Sequence, residues 1–250
     1  MGYFTVEVKP TIPNVAAGQH AQFAGNDLLF DWYAFDVPKG TCRLLHIDQE
    51  IRPKADSGST VNEFDLELWF GKANKYGTAP SSIGTVNSAA LASAVNLSNN
   101  MLGFISNDKW ETHEAHIDST AYTQCREVNC NMFFNNPGSQ VTTQGYDRYY
   151  MAAITYGAFD FRSGILINAG DLTGPVITVD GVDARLALAI GDTIGVTTTA
   201  DTAVSKDMGI IKSIDSATQI TLESAFTTAV VNNDFVYNQS PITFRLHFEY

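Results

Sequence analysis

The last nine residues, ITFRLHFEY, alternate without a break: Ile242, Phe244, Leu246, Phe248 and Tyr250 on one parity, Thr243, Arg245, His247 and Glu249 on the other. A period of two is the signature of a β-strand with one face buried and one face wet. Such a strand must lie in a sheet that covers its apolar side, so the chain's end is structural. The same pattern recurs over Asn62 to Phe70, with Phe64, Leu66, Leu68 and Phe70 on one side and Glu63, Asp65 and Glu67 on the other. Asp65 and Glu67 are opposite in charge to Arg245 and His247, which predicts that these two strands share one sheet and one core.

Further strands are expected at Leu28 to Val37, stopped by Pro38-Lys39-Gly40, and at Cys42 to Arg52, with Leu45, Ile47 and Ile51 on one parity. Asp147 to Phe161, DRYYMAAITYGAFDF, reads as one long strand with a bulge at Gly157. The only helix expected is short, over 88–95 (SAALASAV). From about residue 170 to 238 aromatics give way to Thr, Ile, Val, Asp and Gly. Within that stretch MGIIKSIDSATQITLESAF, residues 208–226, is a hairpin whose turn is Ser216-Ala217-Thr218-Gln219. The expected fold is therefore all-β: a jelly-roll-like or sandwich domain made of 1–169 plus 239–250, with a small β-barrel-like module, 170–238, inserted before the last strand.

Charge narrows the function classes. The net charge is −12 with only 15 basic residues, which argues against a phosphate-backbone partner. Arg52-Pro53-Lys54 is the nearest approach to a basic patch and reads as an exposed strand end. No apolar run reaches the length of a membrane span and no basic-then-apolar leader opens the sequence, so a soluble protein made in a cytoplasm is expected, with Cys42, Cys125 and Cys130 reduced. Cys125 and Cys130, an odd number of residues apart, project to opposite faces of a regular strand.

Residues with chemical potential are few. His113-Glu114-Ala115-His116 with Asp118 has metal-ligand flavour, yet a spacing of three departs from the His-Glu-x-x-His of zinc helices and splits the histidines across a strand. Asp65 with Glu67 resembles a glycosidase pair but alternates with an apolar face, as a solvated strand does. Asp180-Gly181-Val182-Asp183 reads as a turn rather than a calcium loop. Tyr146, Tyr149, Tyr150 and Tyr156 are placed in a sheet core or subunit interface rather than on a sugar-binding surface. No nucleophile elbow or phosphate loop occurs. No catalytic, cofactor-binding or metal site is expected, and no cofactor.

GDTIGV…MGIIKSIDSATQITLESAF…NNDFVYNQSPITFRLHFE, together with FDWYAFDVPKG and AAITYGAFDFRSG, resembles structural proteins of tailed bacteriophages, especially those of cyanobacteria and other aquatic bacteria. The likeness covers 150–250 and more faintly 28–72. It implies a capsid decoration (cement) protein: a virion component on the capsid exterior, made in the host bacterial cytoplasm, with the major capsid protein as partner. Homotrimers are common in that class; nucleic acid, membrane and enzymatic turnover are not part of it. The alternative is a tail, baseplate or fibre protein with a receptor- or glycan-binding role.

Overall fold

A computed structural model describes residues 2–12, 21–52, 65–89, 100–108, 112–118, 121–135, 137–138, 145–168, 174–198, 206–227 and 229–250. Its strands along the chain are β1 (Tyr3–Val8), β2 (Gln22–Phe23), β3 (Leu28–Pro38), β4 (Cys42–Ile51), β5 (Leu66–Lys72), β6 (Met101–Asn107), β7 (Thr112–Asp118), β8 (Ala121–Phe134), β9 (Tyr146–Thr155) and β10 (Phe159–Asp160). They continue with β11 (Ile165–Ile167), β12 (Gly174–Gly181), β13 (Thr193–Thr197), β14 (Lys206–Ser216), β15 (Gln219–Phe226), β16 (Phe235–Asn238) and β17 (Ile242–Glu249). The expected helix at 88–95 falls almost wholly outside the described residues.

Two antiparallel sheets face each other, one ordered β1-β17-β4-β8-β7 and the other β3-β9-β5-β6. The pairings nest: β1 with β17, β3 with β9, β4 with β8, β5 with β6. The outermost strands of the chain pair first with last, and each inner pair folds over the previous one. That order is a jelly roll, with β7 added at one edge. Its interior is a ring cluster in which Phe134 lies 4.9 Å from Tyr149, 5.2 Å from Phe248, 5.6 Å from Phe70 and 6.2 Å from Phe35, centroid to centroid. Edge-to-face packing of this kind adds to the hydrophobic gain from burying large rings.

The barrel closes in the order β11-β12-β15-β14-β13-β16, with Leu166 opposite Phe235 at the joint. Its interior is mainly aliphatic, with Ile165, Ile167, Ile177, Val179, Ile194, Val196, Ile211, Ile220 and Leu222, and Phe226 as the one ring among its buried residues. A small barrel has room for branched side chains and little room for rings, which is the physical basis of the composition change along the chain. The hairpin forms as expected, β14 turning through Ala217 and Thr218 into β15. Its first strand, Ile165–Ile167, lies ahead of residue 170, where the composition shift placed the module's start.

Three other expectations need correction. β5 and β17 do not share a sheet: they lie in opposite sheets and meet through the core, with Leu66, Leu68 and Phe70 in one cluster with Phe244, Leu246 and Phe248. Their polar faces point away from each other, so Asp65 and Glu67 are not the partners of Arg245 and His247. In β4 a bulge at Leu45 resets the alternation, so that Leu44, Ile47, Gln49 and Ile51 are buried and Leu45 is only half-buried. The run to Phe161 is not one bulged strand: β9 ends at Thr155, whose hydroxyl and Gly157 exchange hydrogen bonds across a bend, and β10 then pairs with β2.

Candidate interaction surface

The outward face of β1-β17-β4-β8 is built by the same alternation that fills the core. Where β17 sends Phe244, Leu246 and Phe248 inward, Arg245, His247 and Glu249 stand outward beside the polar residues of their neighbours. Arg245 reaches Glu50 of β4 at 2.9 Å and Glu7 of β1 at 3.7 Å. Asp48 of β4 takes His247 Nε2 at 2.8 Å on one oxygen and His46 Nε2 at 2.5 Å on the other. Thr5 lies 3.0 Å from His247 Nδ1 and Asn129 lies 3.2 Å from His46 Nδ1, so one polar chain crosses four strands. Partial burial pushes Asp48 upward, but the hydrogen bonds and charges of His247 and His46 outweigh it and hold the carboxyl below its ordinary range.

At one end of this face the register sets Tyr3 beside Glu249, Glu249 beside Arg43, and Arg43 beside Phe133. Arg43 Nε donates to Glu249 at 3.0 Å. The two aromatics that end the row are 69% and 54% exposed, and Tyr250, next along the chain, is 58% exposed. Exposed Tyr and Phe around a paired Arg match the residue types enriched where proteins meet. Single-sequence reading missed this group, because its members come from β1, β4, β8 and β17 and only strand order makes them neighbours.

The residues singled out by sequence are scattered. His113, Glu114, His116 and Asp118 lie in strand β7, not on a helix. Among the described residues no group of three or more His, Cys, Asp or Glu side chains is arranged to hold a metal ion. Glu67 accepts from Trp69 Nε1 and from Tyr156 Oη at 2.8 Å on the outer side of the second sheet, while Asp65 offers its carbonyl to Tyr156 N at 2.9 Å. Burial and then that carboxylate push the Tyr156 hydroxyl upward. Tyr149 and Tyr150 are buried, whereas Tyr146 and Tyr156 are about half exposed, so the four tyrosines do not act as one unit.

Asp183 is engaged by the Arg185 side chain and backbone N–H in a short 3-10 turn, and Gly181 sits at φ +81 with the Gly164 carbonyl oxygen where a Cβ would fall. Arg52 is no solvated strand end: it pairs at 3.1 Å with Asp192, which is 6% exposed, and so ties the jelly roll to the barrel. Residues 53 and 54 lie outside the described residues. Cys125 is exposed, Cys130 half-buried on the other face of β8, and Cys42 buried.

No protein-family model matches the chain, and no curated protein matches it. The crystal structure of the mavirus penton protein aligns over 99% of this chain and 98% of that one, at 7% identity and a TM-score of 0.13. Likeness at that level carries no argument.

Proposed function

We propose that this chain is a virion structural protein that decorates and stabilises a phage capsid, binding the major capsid protein on the capsid exterior as a homotrimer. The observation that supports it is the jelly roll with a filled interior. This architecture recurs in viral capsid domains, lectins and cupins. A cupin-like role needs an open interior, and here rings of Phe35, Phe70, Phe134, Tyr149 and Phe248 occupy that space. A filled sandwich tied to a closed barrel is a rigid building block whose useful part is its surface. Tyr3, Arg43, Phe133 and Tyr250 supply a contact patch of the right chemistry for subunit or capsid binding.

Gold-labelled antibodies against the purified chain test the location on intact virions. Label spread over the heads supports decoration; label confined to the tail tip favours the receptor-binding alternative; unlabelled virions overturn both. Sedimentation equilibrium tests the trimer, which requires a mass three times the 27.2 kDa chain.

A further inference from the structure

A cleft of about 610 Å³ opens where β5 runs into the loop after it, lined by Lys72, Asn74, Lys75, Tyr76, Ser81 and Asn100 among others. Its walls are held in place by hydrogen bonds to the backbone. Lys72 N donates to the Asn100 carbonyl at 2.7 Å and Asn100 Nδ2 returns a bond to the Lys72 carbonyl at 2.9 Å, stitching β5 to the residue before β6. Asn74 Oδ1 accepts from Tyr76 N at 2.9 Å and Thr78 N at 3.0 Å, which fixes the loop that presents Lys75 and Tyr76. Gly138, at φ +82, closes against the Ala73 carbonyl, where a Cβ would come within 2.2 Å.

The charge of this cleft runs against that of the protein. The chain carries −12 overall, and Arg43, Arg52, Arg148, Arg162, Arg185 and Arg245 are each paired with a carboxylate. Lys72 and Lys75 differ: among the described residues neither forms an ion pair with a carboxylate, and none of the lining residues is acidic. The stretches 90–99 and 139–144, which adjoin the cleft in sequence, contain no Asp or Glu. Both lysines line the cleft, which gives it positive charge with no acidic residue in its lining, and a bound anion complements that charge. Beside them the Tyr76 ring is 78% exposed, with Lys75 Nζ 4.8 Å from its centroid.

We propose that this cleft binds an acidic saccharide, a uronic or sialic acid at the end of a glycan. Its carboxylate lies between Lys72 and Lys75, one face of the sugar ring rests on Tyr76, and Ser81 and Asn100 meet its hydroxyl groups. The volume lies in the range of small-ligand sites, which is about 300–1,000 Å³. The loop's internal hydrogen bonds lower the ordering cost of binding. This binding does not depend on where the protein sits in the virion, so the antibody-labelling result and the test below fail or succeed separately.

The test titrates the ¹⁵N-labelled full chain with 3′-sialyllactose and with a galacturonic acid trimer, using neutral lactose and inorganic phosphate as comparisons. The expected result is saturable shifts of the Lys72, Lys75 and Tyr76 amide signals with at least one acidic saccharide and none with lactose. Lys72→Gln and Lys75→Gln each weaken that binding about tenfold or more, the loss of one charge-assisted hydrogen bond. Tyr76→Ala weakens it too, and the melting temperature of all three variants stays at the parent value. Three outcomes overturn the proposal: no shift by either saccharide at about 10 mM, where a millimolar site is filled; equal binding of lactose; or phosphate binding as tightly with the same lysine dependence, which makes the cleft a simple anion site.

Discussion

Phe133 and Phe134 are adjacent in sequence and opposite in fate, which makes them a direct test of the register of β8. Phe134 is fully buried with four ring neighbours, while Phe133 is 54% exposed on the outward face. Truncating a buried Phe to Ala costs about 3–5 kcal/mol, from lost transfer energy and the cavity left behind. Against a total stability of about 5–15 kcal/mol this is a large share. With a urea slope of about 2 kcal/mol/M, Phe134→Ala lowers the unfolding midpoint by about 1.5–2.5 M. Phe133→Ala removes only surface contact and stays within about 0.5 kcal/mol of the parent.

Tryptophan emission is a suitable probe because Trp32 and Trp69 lie in β3 and β5 of the jelly roll, while the sequence of the barrel, 165–238, contains no Trp. The barrel has its own mainly aliphatic core, separate from the aromatic one. Its methyl NMR signals therefore keep their positions in Phe134→Ala. A register slip of one residue in β8 exchanges the two positions. Equal costs for the two variants, or a larger cost for Phe133→Ala, refutes the assigned register and with it the aromatic core.

Three further outcomes follow from individual sites. Asp48 has a lowered folded-state pKa, so its contribution is present above the ordinary carboxylate range and is lost as pH falls through the folded value. Asp48→Asn should then cost about 1 kcal/mol at pH 6, the scale of a partly exposed pair, and the gap should shrink as pH falls below the ordinary carboxylate range, as read from urea midpoints; a gap that does not change with falling pH contradicts this. Cys125 should be the fastest of the three thiols toward a thiol reagent at pH 8, because it alone is exposed: burial and then the Glu50 carboxylate push it upward too, but Cys42 is buried and burial pushes Cys130 up to about 11; a Cys42 or Cys130 that reacts as fast as Cys125 would argue against that burial. Gly195→Ala would bring a Cβ to 2.4 Å from the hydroxyl of the fully buried Tyr237, so calorimetry should show a loss of about 1–3 kcal/mol from overpacking, and an unchanged melting profile would mean that Tyr237 is not held there.

Strand identity was local information. The alternation of residues 242–250 is enough to define β17, and the turn residues Ala217 and Thr218 are enough to define the β14–β15 hairpin, since side-chain period and turn chemistry act within a few residues. The inserted module was legible for a related reason: a narrow barrel admits aliphatic side chains, and that volume limit marks the composition. Pairing was not local. Arg245 has acidic candidates in several strands, and nothing in its own segment chooses Glu50 and Glu7 over Asp65 and Glu67. That choice belongs to the nested order of the jelly roll, which brings β17 between β1 and β4 and sends β5 to the opposite sheet. The bulge at Leu45 is likewise set by both neighbours of β4 at once. The sites have the same origin. Tyr3, Arg43 and Phe133 become one row, and Lys72 and Asn100 one cleft wall, only when hydrogen-bonded strands bring distant residues within a few ångströms.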